Sequence, residues 1–256
     1  ALDDKNGMNE KDRQVIRAII DSADEGVLTV DYRSYDMGRW YAKGRAQLQN
    51  CKKRIRELAL KRKGIGLDLR ASFPAIVTGL VSEIVKERGA HIDMTETQKM
   101  IRDLKGWRRK AASELDVGIR IVKKGINAIL FGMSFQKWKH LNGISNEKRS
   151  PSIEKVEREV AKARSLIVDR EFRNGKASRK EKEARVLSRA AERTERELID
   201  NFETDLTLKG WSISTLIHDE IIIQRPIDEN IHLDSLARDA KLALRNFENT
   251  KGWAPG

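Results

Sequence analysis

The 256-residue chain carries 51 Lys and Arg against 39 Asp and Glu, a net charge of +12, with 39% hydrophobic residues. That length holds a real core as one large domain or two small ones, and the basic excess makes nucleic acid the first class of partner and an anionic membrane surface the second. A single cysteine, Cys51, excludes an internal disulfide and a cysteine-rich zinc site, and no run approaches the ~20 apolar residues that span a bilayer.

The N-terminus has no charged-then-apolar signal segment, so an intracellular, cytoplasmic or nucleoid-associated protein without a membrane partner is expected. The chain begins at Ala1 rather than methionine, which suggests a processed product or an excised segment. Residues 9–23 read as a short helix with Val15, Ile16, Ala18, Ile19 and Ile20 as its apolar stripe, and 26–30 as a strand. Residues 45–63 read as a very basic helix, which Gly64 and Gly66 end before a strand at Leu67-Asp68-Leu69. The pattern is helical over 75–88, 95–113 and 116–131, and 142–152 is a polar linker. A long charged helical region follows, broken near Asn174-Gly175 and resuming over 178–209, where Lys209-Gly210 stops it. Two apolar runs then meet at Ile217-His218-Asp219-Glu220, and an amphipathic helix begins near Asp234.

This order predicts an α+β fold, with a small sheet and a large helical insertion between two acidic strands. The predicted division is 1–78, 79–209 and 210–256.

Five segments carry candidate chemistry. Asp68 ends an apolar run, with Phe73 five residues on; it suits a metal ligand and equally an N-cap for the helix that follows Pro74. Asp219 lies between His218 and Glu220 at a turn that holds neither Gly nor Asn, so a plain polar turn is the weaker explanation. In Arg120-Ile121-Val122-Lys123-Lys124-Gly125-Ile126-Asn127-Ala128-Ile129-Leu130-Phe131-Gly132, helical spacing puts Arg120, Lys124 and Phe131 on nearly one face. Such a face can grip a triphosphate and stack on a base, though an ordinary basic amphipathic helix has the same pattern. Arg39, Lys43 and Arg45 interleave with Trp40 and Tyr41, and Arg189 lies in a basic row over 178–197; both segments suit a phosphate backbone, or in turn an aromatic anchor and a solvated helix face. His91, His140 and His232 have no zinc-ligand spacing.

Taken together, the Asp68, Arg120–Gly132 and Asp219 segments resemble the three signature motifs of palm-domain nucleic acid polymerases, in the required order. Ile217-His218-Asp219-Glu220 resembles motif C of family A DNA polymerases, and Arg120 to Gly132 resembles their motif B on the fingers helix. Asp68-Leu69-Arg70-Ala71-Ser72-Phe73-Pro74 resembles motif A, in a form closer to family B. The motifs cover about a sixth of the chain. The resemblance implies a small antiparallel palm sheet bearing the two acidic strands, a helical fingers insertion, no exonuclease domain and at most a short thumb.

For function, the resemblance implies a template-directed DNA polymerase working on primer–template and nucleoside triphosphates. Asp68, Asp219 and the Leu69 carbonyl would hold two magnesium ions, with manganese as the alternative, and Glu220 and His218 would support the primer end or the metal shell. Arg120 with Lys123 or Lys124 would hold the β- and γ-phosphates, Phe131 would face the nascent base pair, and Phe73 would pack against the sugar and disfavour ribose. A compact replicative enzyme of a virus, plasmid or other mobile element is implied, with any separate primase or helicase supplied by another domain. A primase or single-subunit RNA polymerase with the same palm, and a non-catalytic nucleic-acid-binding module, are the alternatives.

Overall fold

The computed structural model describes residues 10–24, 28–34, 39–44, 46–60, 64–69, 71–89, 91–217, 220–224 and 233–253. It contains the helices and small antiparallel sheets expected of an α+β fold. The chain divides into two compact units, Ala1–Leu69 with Arg196–Leu244, and Arg70–Glu195 with Arg245–Gly256.

In the first unit, α1 (Glu10–Ser22) lays Val15 against Cys51 and Ile55, with Ile16, Ile19 and Leu48 around them. Burial and the Asp12 carboxylate push the Cys51 thiol pKa up, so this thiol is a packing group rather than a nucleophile. Strands β1 (Tyr32–Ser34) and β2 (Trp40–Ala42) form one antiparallel pair. The second sheet has the order β3 (Gly64–Asp68), β5 (Glu220–Gln224), β4 (Ile213–Ile217), all antiparallel. Ile221, Ile222 and Ile223 are 2%, 2% and 0% exposed. Three consecutive buried residues mean that both faces of β5 are covered, as a central strand requires.

Two expectations for this unit differ from the structure. The basic helix predicted over 45–63 is a 3-10 turn at Leu48–Asn50 followed by α2 (Lys53–Leu60). Here glutamine side chains take backbone partners: the Gln49 carbonyl accepts from Ala42 N–H at 3.0 Å, and its amide donates to Trp40 O at 3.2 Å and Leu216 O at 3.0 Å. Gln47, buried, donates to Ala42 O and Gly44 O. Those tertiary bonds outweigh the helical preference of the segment. Of the strand predicted at 26–30, residues 26 and 27 lie outside the described residues and 28–30 are not in a strand; β1 begins at Tyr32, whose hydroxyl is bound to β4.

The second unit is helical: α3 (Ser72–Arg88), α4 (Thr95–Arg102), α5 (Leu104–Leu115), α6 (Ile119–Leu130), α7 (Phe135–Leu141) and α8 (Pro151–Arg173), with the first part of α9 (Glu183–Leu208). The predicted helix over 95–113 is two helices, because the Asp103 carboxylate accepts from Gly106 N–H at 2.9 Å and starts a new one. Helix α8 begins at Pro151, inside the linker expected over 142–152, because Ser150 Oγ accepts from Ile153 N–H at 3.3 Å and Pro151 suits the first turn. Its stripe of Ile153, Val156, Val160, Ala163 and Ile167 is wholly buried. Two apolar clusters form this unit's core, and Phe73 packs against both. Helix α10 (Leu233–Lys251) follows β5.

Candidate active site

Strand register fixes the acidic end of the three-stranded sheet. Asp68 on β3 lies directly opposite Glu220 on β5, and Glu220 in turn opposite Ile217 on β4. Directly opposed residues share a face, so two acidic residues project from one face at this end of the sheet, and carboxylates placed close together there would repel each other and favour a cation. Oxygen donors of this kind suit magnesium or manganese. His218 and Asp219 lie outside the described residues. Among the described residues no group of three or more His, Cys, Asp and Glu is placed to hold a metal. Leu69, the expected carbonyl ligand, follows β3 and is half-buried.

A carboxylate that the sequence reading passed over lies next to this sheet. The Tyr32 hydroxyl is 2.5 Å from Thr215 Oγ1, donates to Leu216 O at 3.3 Å and accepts from Leu216 N–H at 3.2 Å. These bonds tie the start of β1 to the end of β4 that leads into His218-Asp219. Asp31, exposed and immediately before Tyr32, is therefore one residue from a side chain bonded to β4. It also lines a cavity of about 500 Å3 with Ser22, Thr29 and Lys43. The signal was present in the sequence: Leu28-Thr29-Val30 is an apolar run ending on an acidic residue, the pattern that singled out Asp68.

The basic and aromatic segment 39–45 is partly used internally. The Arg196 guanidinium lies 3.9 Å from the Trp40 ring centre, and the Trp40 indole N–H donates to Asp200 at 2.7 Å. This ring face is covered, as an anchor's would be. Arg39 is half-buried, Lys43 is exposed, and Arg45 lies outside the described residues. In the basic row on α9, Arg189 pairs with Glu181 at 2.7 Å, an ion pair rather than a straight hydrogen bond, and Arg193 pairs with the buried Glu171. Those two arginines hold their own unit together.

In the second unit, α6 buries Val122, Gly125, Ile126, Ile129 and Leu130. The core face thereby turns Arg120, Lys123 and Lys124 to solvent, and Phe131, at the helix end, is 46% exposed. Phe73, in the first turn of α3, stacks at a tilt on Phe131 with ring centres 4.4 Å apart. The pair forms an aromatic surface beside the cationic face of α6. Gly132 follows with φ +97, and a Cβ there would lie 2.5 Å from the Arg164 guanidinium, so only glycine suits the bend. Asp68 and Glu220 belong to the first unit, and Phe73, Arg120, Lys123, Lys124 and Phe131 to the second.

No described helix is long and apolar enough to cross a membrane. The sequence matches no protein-family model, and no curated protein matches it. Among solved structures the chain is similar to the POL domain of Pol1 from M. smegmatis, described in complex with DNA primer–template and dNTP, with a TM-score of 0.64 at 14% identity. The match covers 92% of this chain and 48% of that one, so the chain spans about half the length of its structural neighbour. The protein has a polymerase-like fold.

Proposed function

We propose that the protein is a template-directed DNA polymerase that adds deoxynucleotides to a primer 3′-hydroxyl with the help of divalent metal. The observation that carries this reading is the β4–β5 hairpin, which has His218-Asp219 between its strands in the chain and stands beside further carboxylates in a polymerase-like fold. Asp219 would hold the metal with one strand carboxylate, either Asp68, paired across β5, or Asp31, whose neighbour Tyr32 is bound to β4. When bound, magnesium or manganese would lower the pKa of the attacking hydroxyl and neutralise charge on the triphosphate.

The remaining roles belong to side chains. Arg120 with Lys123 or Lys124 would hold the β- and γ-phosphates through charge-assisted hydrogen bonds, and one of the lysines would protonate the leaving pyrophosphate. Phe131 would lie against the nascent base pair, and Phe73, stacked behind it, would shape the space for the sugar. Glu220 and His218 would support the metal shell or the primer end. Primer–template DNA and nucleoside triphosphates are the proposed partners, with a primase, helicase or other replication domain acting separately.

Primer extension on a DNA template tests this reading. Wild type should incorporate deoxynucleotides in magnesium, lose the activity in EDTA, and use ribonucleotides at least about tenfold less well, since a steric clash of ~1.4 kcal/mol is tenfold in rate. Equal use of both sugars would point to an RNA-making palm, and DNA binding without incorporation to a non-catalytic module. Asp31→Ala and Asp68→Ala assign the strand carboxylate: the metal ligand should lose about 10³-fold or more in incorporation, and the other should lose little. Full activity in both variants contradicts a two-carboxylate site.

A further inference from the structure

Glycines at Gly64 and Gly66 alternate along β3, so both lie on the face that carries Asp68. Neither has a positive φ, so backbone conformation does not demand glycine, which is an unfavourable residue inside a strand. Space explains Gly64, where a Cβ would meet the branched carbon of Ile222; at Gly66 it would meet the carboxylate tip of Glu220, the far end of a flexible side chain that a new Cβ would displace. A Cβ at Gly66 would lie 2.3 Å from Glu220 Oε1 and 3.4 Å from Glu220 Cδ, and one at Gly64 would lie 2.6 Å from Ile222 Cγ2. Real Cβ atoms do not approach other heavy atoms to less than about 3.0 Å.

The register shows what this space does. Glu220 is opposite Asp68, and Gly66 is opposite Ile222. Glu220 therefore reaches diagonally, past its own partner, and sets its carboxylate over the bare backbone of β3. The other course open on that face runs alongside Asp68, where two carboxylates would crowd together.

We propose that Gly66 is a positioning residue, whose missing side chain gives the Glu220 carboxylate a seat over β3 and keeps it from crowding Asp68 at the acidic end of the sheet. The seat follows from the packing alone. Its catalytic consequence rests on the polymerase reading: it sets how much negative charge a metal ion meets there.

A double-mutant cycle separates the two. Gly66→Ala should change Tm by no more than about 1 °C in the wild-type background, because the gain from restricting the unfolded chain is offset by displacing the Glu220 tip from its seat. In a Glu220→Ala background the same change should raise Tm by about 2–3 °C, because alanine restricts the unfolded chain and no longer meets a carboxylate. Should Gly66→Ala alone not fold, folding of the double variant supports the proposal, and failure of both overturns it. Equal Tm changes in the two backgrounds overturn it whether or not the protein incorporates nucleotides.

In an active enzyme, the magnesium concentration for half-maximal incorporation should shift by about threefold in Gly66→Ala, with primer–template affinity unchanged, since a displaced carboxylate alters the local charge. An unshifted magnesium dependence overturns the positioning role. Coupled Tm values in a chain that never incorporates nucleotide support the seat and contradict the polymerase reading.

Discussion

Replacing Lys123 and Lys124 together by alanine is expected to lower the efficiency of dNTP incorporation by about 10³-fold, at unchanged Tm. Both side chains are exposed on α6, so their loss opens no cavity. A hydrogen bond between a cation and a phosphate contributes about 1.5–3 kcal/mol, and each 1.4 kcal/mol is a tenfold change in rate. A lysine that also protonates the leaving group adds about 10²-fold or more. Helical spacing sets Lys124 in line with Arg120 and Phe131, while Lys123 stands at the edge of that face. The two single variants, compared by single-turnover kinetics, assign the role to one of them. An efficiency within threefold of wild type in the double variant would remove α6 from the triphosphate site.

The second large effect is structural. Gly125→Ala should destabilise the protein by about 2 kcal/mol, even though alanine is about 1 kcal/mol better than glycine within a helix. A Cβ at position 125 would lie 2.2 Å from Trp138 Cε2 and 2.4 Å from Cζ2. That indole cannot move aside. It is 3% exposed, stacked on Phe135 with ring centres 5.8 Å apart, and its N–H has no hydrogen-bond partner, so close packing alone fixes the ring. Overpacking of this kind costs about 1–3 kcal/mol and occasionally more. For a chain of this size the result is a Tm lower by about 4–8 °C. In a Trp138→Leu background, where the larger ring is gone, the same substitution should be neutral or stabilising. A rise in Tm in the wild-type background would show that α6 and α7 do not meet at Gly125.

The elements that were legible in the sequence are those whose local signals and packing agree. Helix α8 has a serine cap, a proline in its first turn and a buried stripe at helical spacing, so the helix was readable, although the linker expected over 142–152 takes in its first two residues. The β4–β5 hairpin was readable from two apolar runs around a polar tip. The segment before α2 was not, because Gln47 and Gln49 bond to β2 and β4, partners distant in sequence or set by the fold. The same limit applies to charge. Nothing in the order of residues distinguishes Arg189 and Arg193, which meet Glu181 and Glu171, from Arg120, Lys123 and Lys124, which face solvent. Asp31 carried the pattern that marked Asp68, an acid closing an apolar run, and only the Tyr32 hydroxyl on β4 shows how near it lies to the hairpin.

The likeness to a polymerase POL domain shows the fold, and in the proposed reading the carboxylates would carry the chemistry. Asp219 is the residue on which the proposed activity depends whichever strand acid joins it. The most direct test measures two quantities on the same primer–template, single-turnover dNTP incorporation in magnesium and DNA affinity, for wild type and Asp219→Ala. Incorporation by wild type that falls by about 10³-fold or more in the variant, at DNA affinity within about threefold of wild type, is the predicted result. Incorporation at the wild-type rate by Asp219→Ala would contradict a metal-dependent polymerase centred on this hairpin.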